Sequence, residues 1–309
     1  MTNSLMETTE KTEQSQHQSV AFLGLGVMGV PMAINLLRQG FPLRAWNRTP
    51  NRPGVEQARQ AGVNVVDTLP EAIANAAIIC TCVGDVQDIR DVIFGADGIV
   101  QSAQPGSLIV DFSTIGSVTA QAIAAELSSH ALRFLDAPIS GGDIGAKQGT
   151  LTIMVGGDPN DFSQCQSLFS ALGKTIRLCG PVGSGQAVKL CNQVLGALHM
   201  VALCEAMELA KLQGLDPNLI VEVCSTGAAG SWALTNLGPK IAEGDYDPGF
   251  MIQHILKDLR LVQETLEGSG EKLPGTELAN HLFESAGKLN RGEGVKQGTQ
   301  AMFRVYPNH

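Results

Sequence analysis

The chain has 309 residues, enough for two domains, and 44% of them are hydrophobic, so a sizeable core can be buried. A formal net charge of −9 argues against nucleic acid as a partner, while leaving room for a local basic pocket that holds a small acidic ligand. Cys80, Cys82, Cys165, Cys179, Cys191, Cys204 and Cys224 show no CxxC spacing, and the six histidines show no ligand spacing. This pattern speaks against a disulfide framework or a metal site and for buried, reduced thiols in a cytoplasmic protein.

Residues 1–18 are polar, with Glu7, Glu10 and Glu13 and no arginine. They fit neither a signal nor a transit peptide and are expected to be a disordered tail. No apolar run approaches membrane-spanning length, so no membrane is expected as a partner. Val20–Gly24 reads as a short buried strand. It runs directly into Gly24-Leu25-Gly26-Val27-Met28-Gly29 and then into a helical pattern that Gly40 ends. Strand, G-x-G-x-x-G and helix in immediate succession form the context that dinucleotide binding requires. The first glycine makes the turn, the second admits the pyrophosphate to the backbone, and the third lets helix pack on strand.

The second strand, Leu43–Asn47, ends without the Asp or Glu that usually accepts the ribose hydroxyls of NAD. Asn47, Arg48 and Thr49 stand there instead, with Arg52 beyond. A carboxylate would repel a 2′-phosphate, whereas these residues can bind one, so NADPH is the expected cofactor. Further strands are expected at Val63–Val66, Ala77–Val83 and Leu108–Asp111, with helical patterns between them. This alternation predicts a parallel, doubly wound sheet. Ligands bind outside the carboxyl ends of such strands, which puts Val83, Gly84, Ser113 and Thr114 at the cofactor edge; Thr114 also fits a helix N-cap. Next, Arg133–Pro138 leads into Ile139-Ser140-Gly141-Gly142, a glycine-rich turn whose free amides and one hydroxyl suit a carboxylate. A helix over Phe162–Leu172 and a strand over Thr175–Cys179 complete a domain assigned to residues 19–181.

The second domain, residues 182–309, opens with Gly183-Ser-Gly-Gln-Ala-Val-Lys-Leu-Cys-Asn-Gln193, the start of a helix expected from Ser184 or Gly185 to Gln213. Lys189, Asn192 and Gln193 are spaced i, i+3, i+4 and share one face. Such a helix, apolar all round, implies burial on every side, and hence a homodimer or homotetramer. The remainder reads as all helical, at Leu219–Ser225, Ala233–Leu237, Ile252–Leu266, Thr276–Lys288 and Val295–Phe303. Trp232 and Phe250 are candidates to line a substrate pocket.

Four separated motifs stand in order: GLGVMG, DAPISGGDIGAKQGTLTIMVGG, GSGQAVKLCNQ and Lys257-Asp258-Leu-Arg-Leu261. With this order the chain, from Val20 onward, resembles the β-hydroxyacid dehydrogenase family. That group includes 3-hydroxyisobutyrate dehydrogenases and tartronate, glyoxylate and succinic semialdehyde reductases. The resemblance implies that Lys189 is catalytic with Asn192 beside it. It implies that Ser140, Gly141 and Gly142 hold a substrate carboxylate, that Thr114 contacts the cofactor, and that Lys257 closes over the cofactor side. Many members have two asparagines after the lysine, where this chain has Asn192-Gln193, which leaves substrate identity open. The expected activity is NADPH-dependent reduction of a short, acidic aldehyde or keto acid, with Lys189 as general acid and no metal. An NAD-dependent 3-hydroxyisobutyrate-type oxidation is the alternative, and a non-catalytic cofactor-binding scaffold is the alternative from another class. A 6-phosphogluconate-type enzyme would need a longer helical domain, and imine reductases usually lack the lysine.

Overall fold

The computed structural model describes residues 17–306. The expected tail therefore falls almost wholly outside the described residues; within them, the His17 ring stacks on Phe41 at 4.2 Å between centroids.

The chain begins with β1 (Val20–Leu23), α1 (Gly29–Arg38), β2 (Leu43–Trp46), α2 (Pro53–Gln60), β3 (Asn64–Val65), α3 (Leu69–Ile73), β4 (Ile78–Thr81), α4 (Val86–Phe94), α5 (Ile99–Ser102), β5 (Leu108–Asp111) and α6 (Ser117–Ser129). It continues with β6 (Arg133–Asp136), β7 (Ile139–Ser140), α7 (Gly142–Gln148), β8 (Leu151–Gly156), α8 (Pro159–Gln164), α9 (Gln166–Leu172) and β9 (Gly173–Gly180). These strands form one sheet in the order β3-β2-β1-β4-β5-β6-β8-β7, with β9 added to β8. From β3 to β6 every pairing is parallel. β8 then runs antiparallel to both β6 and β7, so the sheet is mostly, not wholly, parallel. The reason is the short β6–β7–β8 path: parallel neighbours need a long crossover, and the single helix α7 instead returns the chain antiparallel.

Strand residues alternate between the two faces. Val20, Phe22, Ile78, Cys80, Leu108 and Val110 pack into one apolar cluster, and Ala21, Leu23, Ile79 and Ile109 into another on the opposite face. Burial on both faces explains why these strands read as unbroken apolar runs. Asp85 caps α4 through Val86 N at 2.7 Å, and Asp158 caps α8 through Asn160 N at 2.7 Å.

α10 (Ser184–Leu212) crosses from the sheet into an all-helical region formed by α11 (Pro217–Cys224), α12 (Trp232–Glu243), α13 (Ile252–Leu266), α14 (Pro274–Lys288) and two 3₁₀ stretches, Leu289–Lys296 and Thr299–Val305. Its 29 residues include a window long and apolar enough to cross a membrane, contrary to the sequence expectation. In the fold this is a core helix, with Ala197, Met200, Cys204 and Met207 buried against Ile255, Leu259, Phe283 and Met302. The helix expected at Val295–Phe303 is 3₁₀ instead, because left-handed Asn290, Arg291 and Gly292 break the preceding turn. The helix expected over Phe162–Leu172 divides at Cys165 into α8 and α9. Cys191, expected to be buried with the other thiols, is exposed on α10.

The N-terminus of α10 is held by Asp136 at the end of β6. Its Oδ1 accepts from Gly183 N at 2.7 Å and its Oδ2 from Gln186 N at 2.9 Å. Burial pushes this carboxyl up to about 6, against the downward pull of the two N–H donations. A Cβ on Gly185 would lie 2.8 Å from Asp136 Oδ2, so only glycine lets the helix start this close to the strand.

Candidate active site

The glycine loop after β1 has the form a dinucleotide needs. Gly24 has φ +105°, open only to glycine without strain, and a Cβ on Gly29 would collide with the Gly24 carbonyl. A Cβ on Gly26 would meet nothing within 4 Å, so the space above it is open. α1 has no acidic residue in its first turn and no side-chain cap at Met28, which leaves its amides available to an anion. The residues present thus fit a nicotinamide dinucleotide.

Three of the sequence-predicted cofactor residues are engaged with one another. Asn47 Oδ1 accepts from Leu25 N at 2.8 Å, and Asn47 Nδ2 donates to Thr49 O at 2.8 Å. The Leu25 side chain is buried in the core. Asn47 is therefore a strut that shapes the end of β2, and the Leu25 amide is not free for a ligand. Val27, Arg48 and Thr49 are exposed at the edge of the crevice, and Met28 is half-buried beside them. Arg48 is ion-paired with Asp88, Nη1 to Oδ1 at 2.8 Å. At the next connections, Val83 N donates to Ser113 Oγ at 2.9 Å, Gly84 is exposed, and Thr114 is half-buried. Thr114 caps no helix: Gly116 is the residue before α6.

Lys189 is 6% exposed, and its Nζ donates to Ile139 O at 2.8 Å. Ile139 directly precedes Ser140, so the ammonium lies against the base of the predicted carboxylate turn. Burial lowers the Lys189 pKa to about 8; the Asp258 carboxylate raises it and the Lys257 ammonium lowers it further. Gly141 and Gly142 have φ +130° and +63°, and Gly141, the residue before α7, leaves the first amides of that helix uncapped by a side chain. Asp143, in the first turn of α7, is ion-paired with Lys147 at 2.9 Å.

A polar chain runs from this turn across to the helical region. Ser140 Oγ donates to Asn192 Oδ1 at 3.5 Å, Asn192 Nδ2 donates to Gln193 Oε1 at 2.9 Å, and Gln193 Nε2 donates to Asp258 Oδ2. Asp258 Oδ1 lies 2.8 Å from Lys257 Nζ, and Lys257 donates to Thr114 O at 2.5 Å. Thus Ser140, Asn192, Thr114 and Lys257, apart in sequence, meet around Lys189. Asn192 joins Ser140 to Gln193, and the lysine is positioned by a backbone carbonyl.

Phe250 stands by the cleft: a Cβ on adjacent Gly249 would be 3.2 Å from Asp143 Oδ1, so this segment touches the first turn of α7. The Phe250 ring is tilted on His254 at 5.7 Å. Trp232, also expected to line the pocket, is 57% exposed at the start of α12, and its ring stacks on no other aromatic among the described residues. Its neighbours Ala233 and Leu234 supply the buried face of α12, which leaves the indole on the solvent side.

Residues 19–180 match the model of the NAD binding domain of 6-phosphogluconate dehydrogenase, and residues 183–306 match that of the NAD-binding region of NADP-dependent 3-hydroxyisobutyrate dehydrogenase. The chain belongs to the β-hydroxyacid dehydrogenase family. It is 52% identical to an uncharacterised oxidoreductase of Synechocystis sp., over 93% of this chain and 97% of that one. It is 36% identical to the 2-hydroxy-3-oxopropionate reductase of Escherichia coli and 36% to the NAD-dependent L-serine dehydrogenase of Pseudomonas aeruginosa, each over 86% of this chain, and over 90% and 91% of the two relatives. Among solved structures, a 3-hydroxyisobutyrate dehydrogenase from Salmonella typhimurium superposes with a TM-score of 0.84 at 30% identity, covering 94% of this chain and all of that one. As a β-hydroxyacid dehydrogenase this chain is an oxidoreductase acting on the CH–OH group with a nicotinamide cofactor.

Sequence reasoning missed three polar residues of this dehydrogenase site. Gln186 is fully buried; its Oε1 accepts from Ile115 N at 2.9 Å and Gly116 N at 3.1 Å, and its Nε2 donates to Ser113 O at 2.9 Å. It ties α10 to the loop that carries Thr114. A signal existed: Gln186, Lys189 and Gln193 are i, i+3, i+7, a polar stripe on an otherwise apolar helix. Asp258 lay inside a quoted motif, but nothing local marks it as the partner of Gln193. Arg260 lies in the same motif, but nothing local marks it as the residue that reaches Asp85 of the sheet at 2.9 Å.

Proposed function

We infer that this enzyme reduces a short aldehyde- or keto-acid, of the glyoxylate, succinic semialdehyde or tartronate semialdehyde type, to the hydroxyacid, with NADPH as reductant. The observation that carries this reading is the buried Lys189 ammonium 2.8 Å from Ile139 O, at the base of a glycine turn suited to a carboxylate. The substrate carboxylate is held by Ser140 and the amides of Gly141 and Gly142, which faces its carbonyl toward Lys189. Gly24–Gly29, Val83, Gly84 and Thr114 would hold the dinucleotide, which when bound would supply the hydride from its nicotinamide. Lys189 stabilises the charge that develops on the substrate oxygen and donates its proton there; a pKa near 8 keeps that proton both present and transferable at neutral pH. Asn192 holds Ser140 in position through its amide, and Lys257 ties the cofactor-side loop at Thr114 to Asp258. Phe250 closes the substrate side of the cleft, and Trp232 is left without a role in it. Arg48 and Thr49 receive the 2′-phosphate.

Homology to the Pseudomonas serine dehydrogenase and the pairing of Arg48 with Asp88 favour a second reading, oxidation of a 3-hydroxyacid with NAD. One experiment separates them: kcat/KM on a panel of glyoxylate, succinic semialdehyde, tartronate semialdehyde and 3-hydroxyisobutyrate with both cofactors. Faster reduction with NADPH is expected, and Arg48→Ala should weaken NADPH more than NADH by about tenfold or more. A wild type that works best with NAD(H) sinks the first reading. The free cysteines fit a reducing, cytoplasmic setting, and the exposed apolar residues Leu209, Leu212, Leu219 and Val223 fit burial against a second copy in a homodimer or homotetramer.

A further inference from the structure

Arg48 lies two residues beyond β2, and Asp88 lies in the first turn of α4, which follows β4. β2 and β4 flank β1 in the sheet. Their 2.8 Å ion pair therefore joins the two connections on either side of the glycine loop, across the crevice where a dinucleotide lies. The second oxygen of Asp88 stands over the end of β4: a Cβ on Gly84 would be 3.0 Å from Oδ2. The pair is partly open to solvent, with side-chain exposures of 62% and 30%, so an incoming ligand can reach it.

In a doubly wound sheet the adenosine ribose sits at the end of β2, and a carboxylate there selects the 2′-hydroxyl over a 2′-phosphate. In this chain β2 leads into Asn47, whose amide is already bonded to Leu25 N and Thr49 O. The carboxylate facing Arg48 comes from α4 instead. A 2′-phosphate needs the guanidinium that Asp88 holds, and on taking it would lie beside a like charge. A 2′-hydroxyl carries no charge and can donate to the same carboxylate.

We propose that Asp88 is a cofactor-specificity residue that competes with the 2′-phosphate for Arg48 and so narrows the preference for NADPH over NADH. This rests on the reading of Arg48 as the 2′-phosphate partner. It assigns to α4 the selectivity that usually belongs to the end of β2.

The test is fluorescence titration of NADPH and NADH into the full-length wild type, Asp88→Asn, Asp88→Glu, Arg48→Ala and the Arg48→Ala/Asp88→Asn double variant. Asp88→Asn should tighten NADPH about tenfold and change NADH by less than about threefold, while Asp88→Glu stays near wild type. Asp88→Ser, a second neutral replacement, must reproduce the Asn result. Without Arg48 the gain from Asp88→Asn should shrink to less than about threefold, because the competition has lost its object. Unchanged or weaker NADPH binding in Asp88→Asn overturns the proposal, as does an equal shift in both cofactors or a full gain without Arg48. The wild-type affinities alone decide whether NADPH is preferred. The change from wild type to Asp88→Asn decides the role of Asp88 and is readable with either preference.

Discussion

In its first turns α10 buries Gln186, Lys189 and Gln193, whereas in its last turns Leu209 and Leu212 are 57% and 71% exposed. One helix thus places polar groups inside at one end and apolar groups outside at the other. At the first end each buried polar group has a partner: Gln186 bonds three backbone groups, Lys189 a carbonyl, and Gln193 both Asn192 and Asp258. Buried polar groups are tolerated only when satisfied in this way, and here the satisfaction also builds the site. At the far end, α11 packs beside α10 with none of its own residues buried. Its apolar Leu219 and Val223 extend the same exposed face. The contrast shows that a helix can carry buried polar groups where it serves a cleft and exposed apolar groups where it meets an open face, while Met207 and Ala210 still pack inward.

The sharpest way to break the polar end is Lys189→Met. Turnover on the best aldehyde acid should fall by about 10²–10⁴, the range for removing a general acid, and Arg should rescue little because it does not release a proton at neutral pH. Stability should move the other way. The folded pKa of Lys189, about 8, is below its ordinary 10.5, so the unfolded chain binds the extra proton between these values. Stability therefore rises with pH through that window, and below about pH 8 the cost of the buried charge is fully present. Removing the charge should stabilise the fold at pH 7 by about 1–3 kcal/mol in urea titrations, after allowance for the lost bond to Ile139. Normal turnover in the Met variant would move the acid elsewhere, with Lys257 next to be tested.

The same pKa sets the expected pH dependence. In the reductive direction kcat/KM should be flat below about pH 8 and fall about tenfold per unit above it, as Lys189 loses its proton. In the oxidative direction, where the lysine must accept a proton, it should rise toward pH 8. A reductive profile that stays level to pH 10 contradicts the assignment.

Gln186→Leu keeps the volume but leaves Ile115 N, Gly116 N and Ser113 O without partners. The expected loss is about 2–4 kcal/mol of unfolding free energy, with weaker cofactor binding through the loosened Thr114 loop. A loss below about 0.5 kcal/mol would show that water replaces the amide. At the apolar end, Leu209→Glu with Leu212→Glu should dissociate an oligomer on sedimentation while lysine chemistry continues, since neither residue touches the cleft. An unchanged mass would place the subunit contact elsewhere. Smallest of all, Cys191→Ala should keep turnover within about tenfold, because this exposed thiol contributes no bond to the site.

Local chemistry in the sequence was sufficient to mark the sheet and its ligand edge. Runs such as Val20–Leu23 and Ile78–Thr81 are apolar throughout because both faces are covered, and Gly24 and Gly29 stand where a side chain would strain or collide. The end of α10 was legible for a similar reason, since Gly214 takes the positive φ that commonly closes a helix C-terminus. Contacts between residues far apart in the chain were not legible. Neither the pairing of Gln193 with Asp258, nor that of Arg48 with Asp88, nor the solvent-side Trp232 follows from any window of sequence. Periodicity reports which face of an element is buried; it carries no information about which element arrives to bury it, and hydrogen-bond partners are chosen by that arrival. The sequence by itself therefore marked the glycine loop after β1, the glycine-rich turn after Ile139 and Lys189 as separate pieces. Only the tertiary structure brought Lys189 within bonding distance of the segment that opens the glycine-rich turn, because α10 must start at Asp136 of the sheet before its buried lysine can reach Ile139.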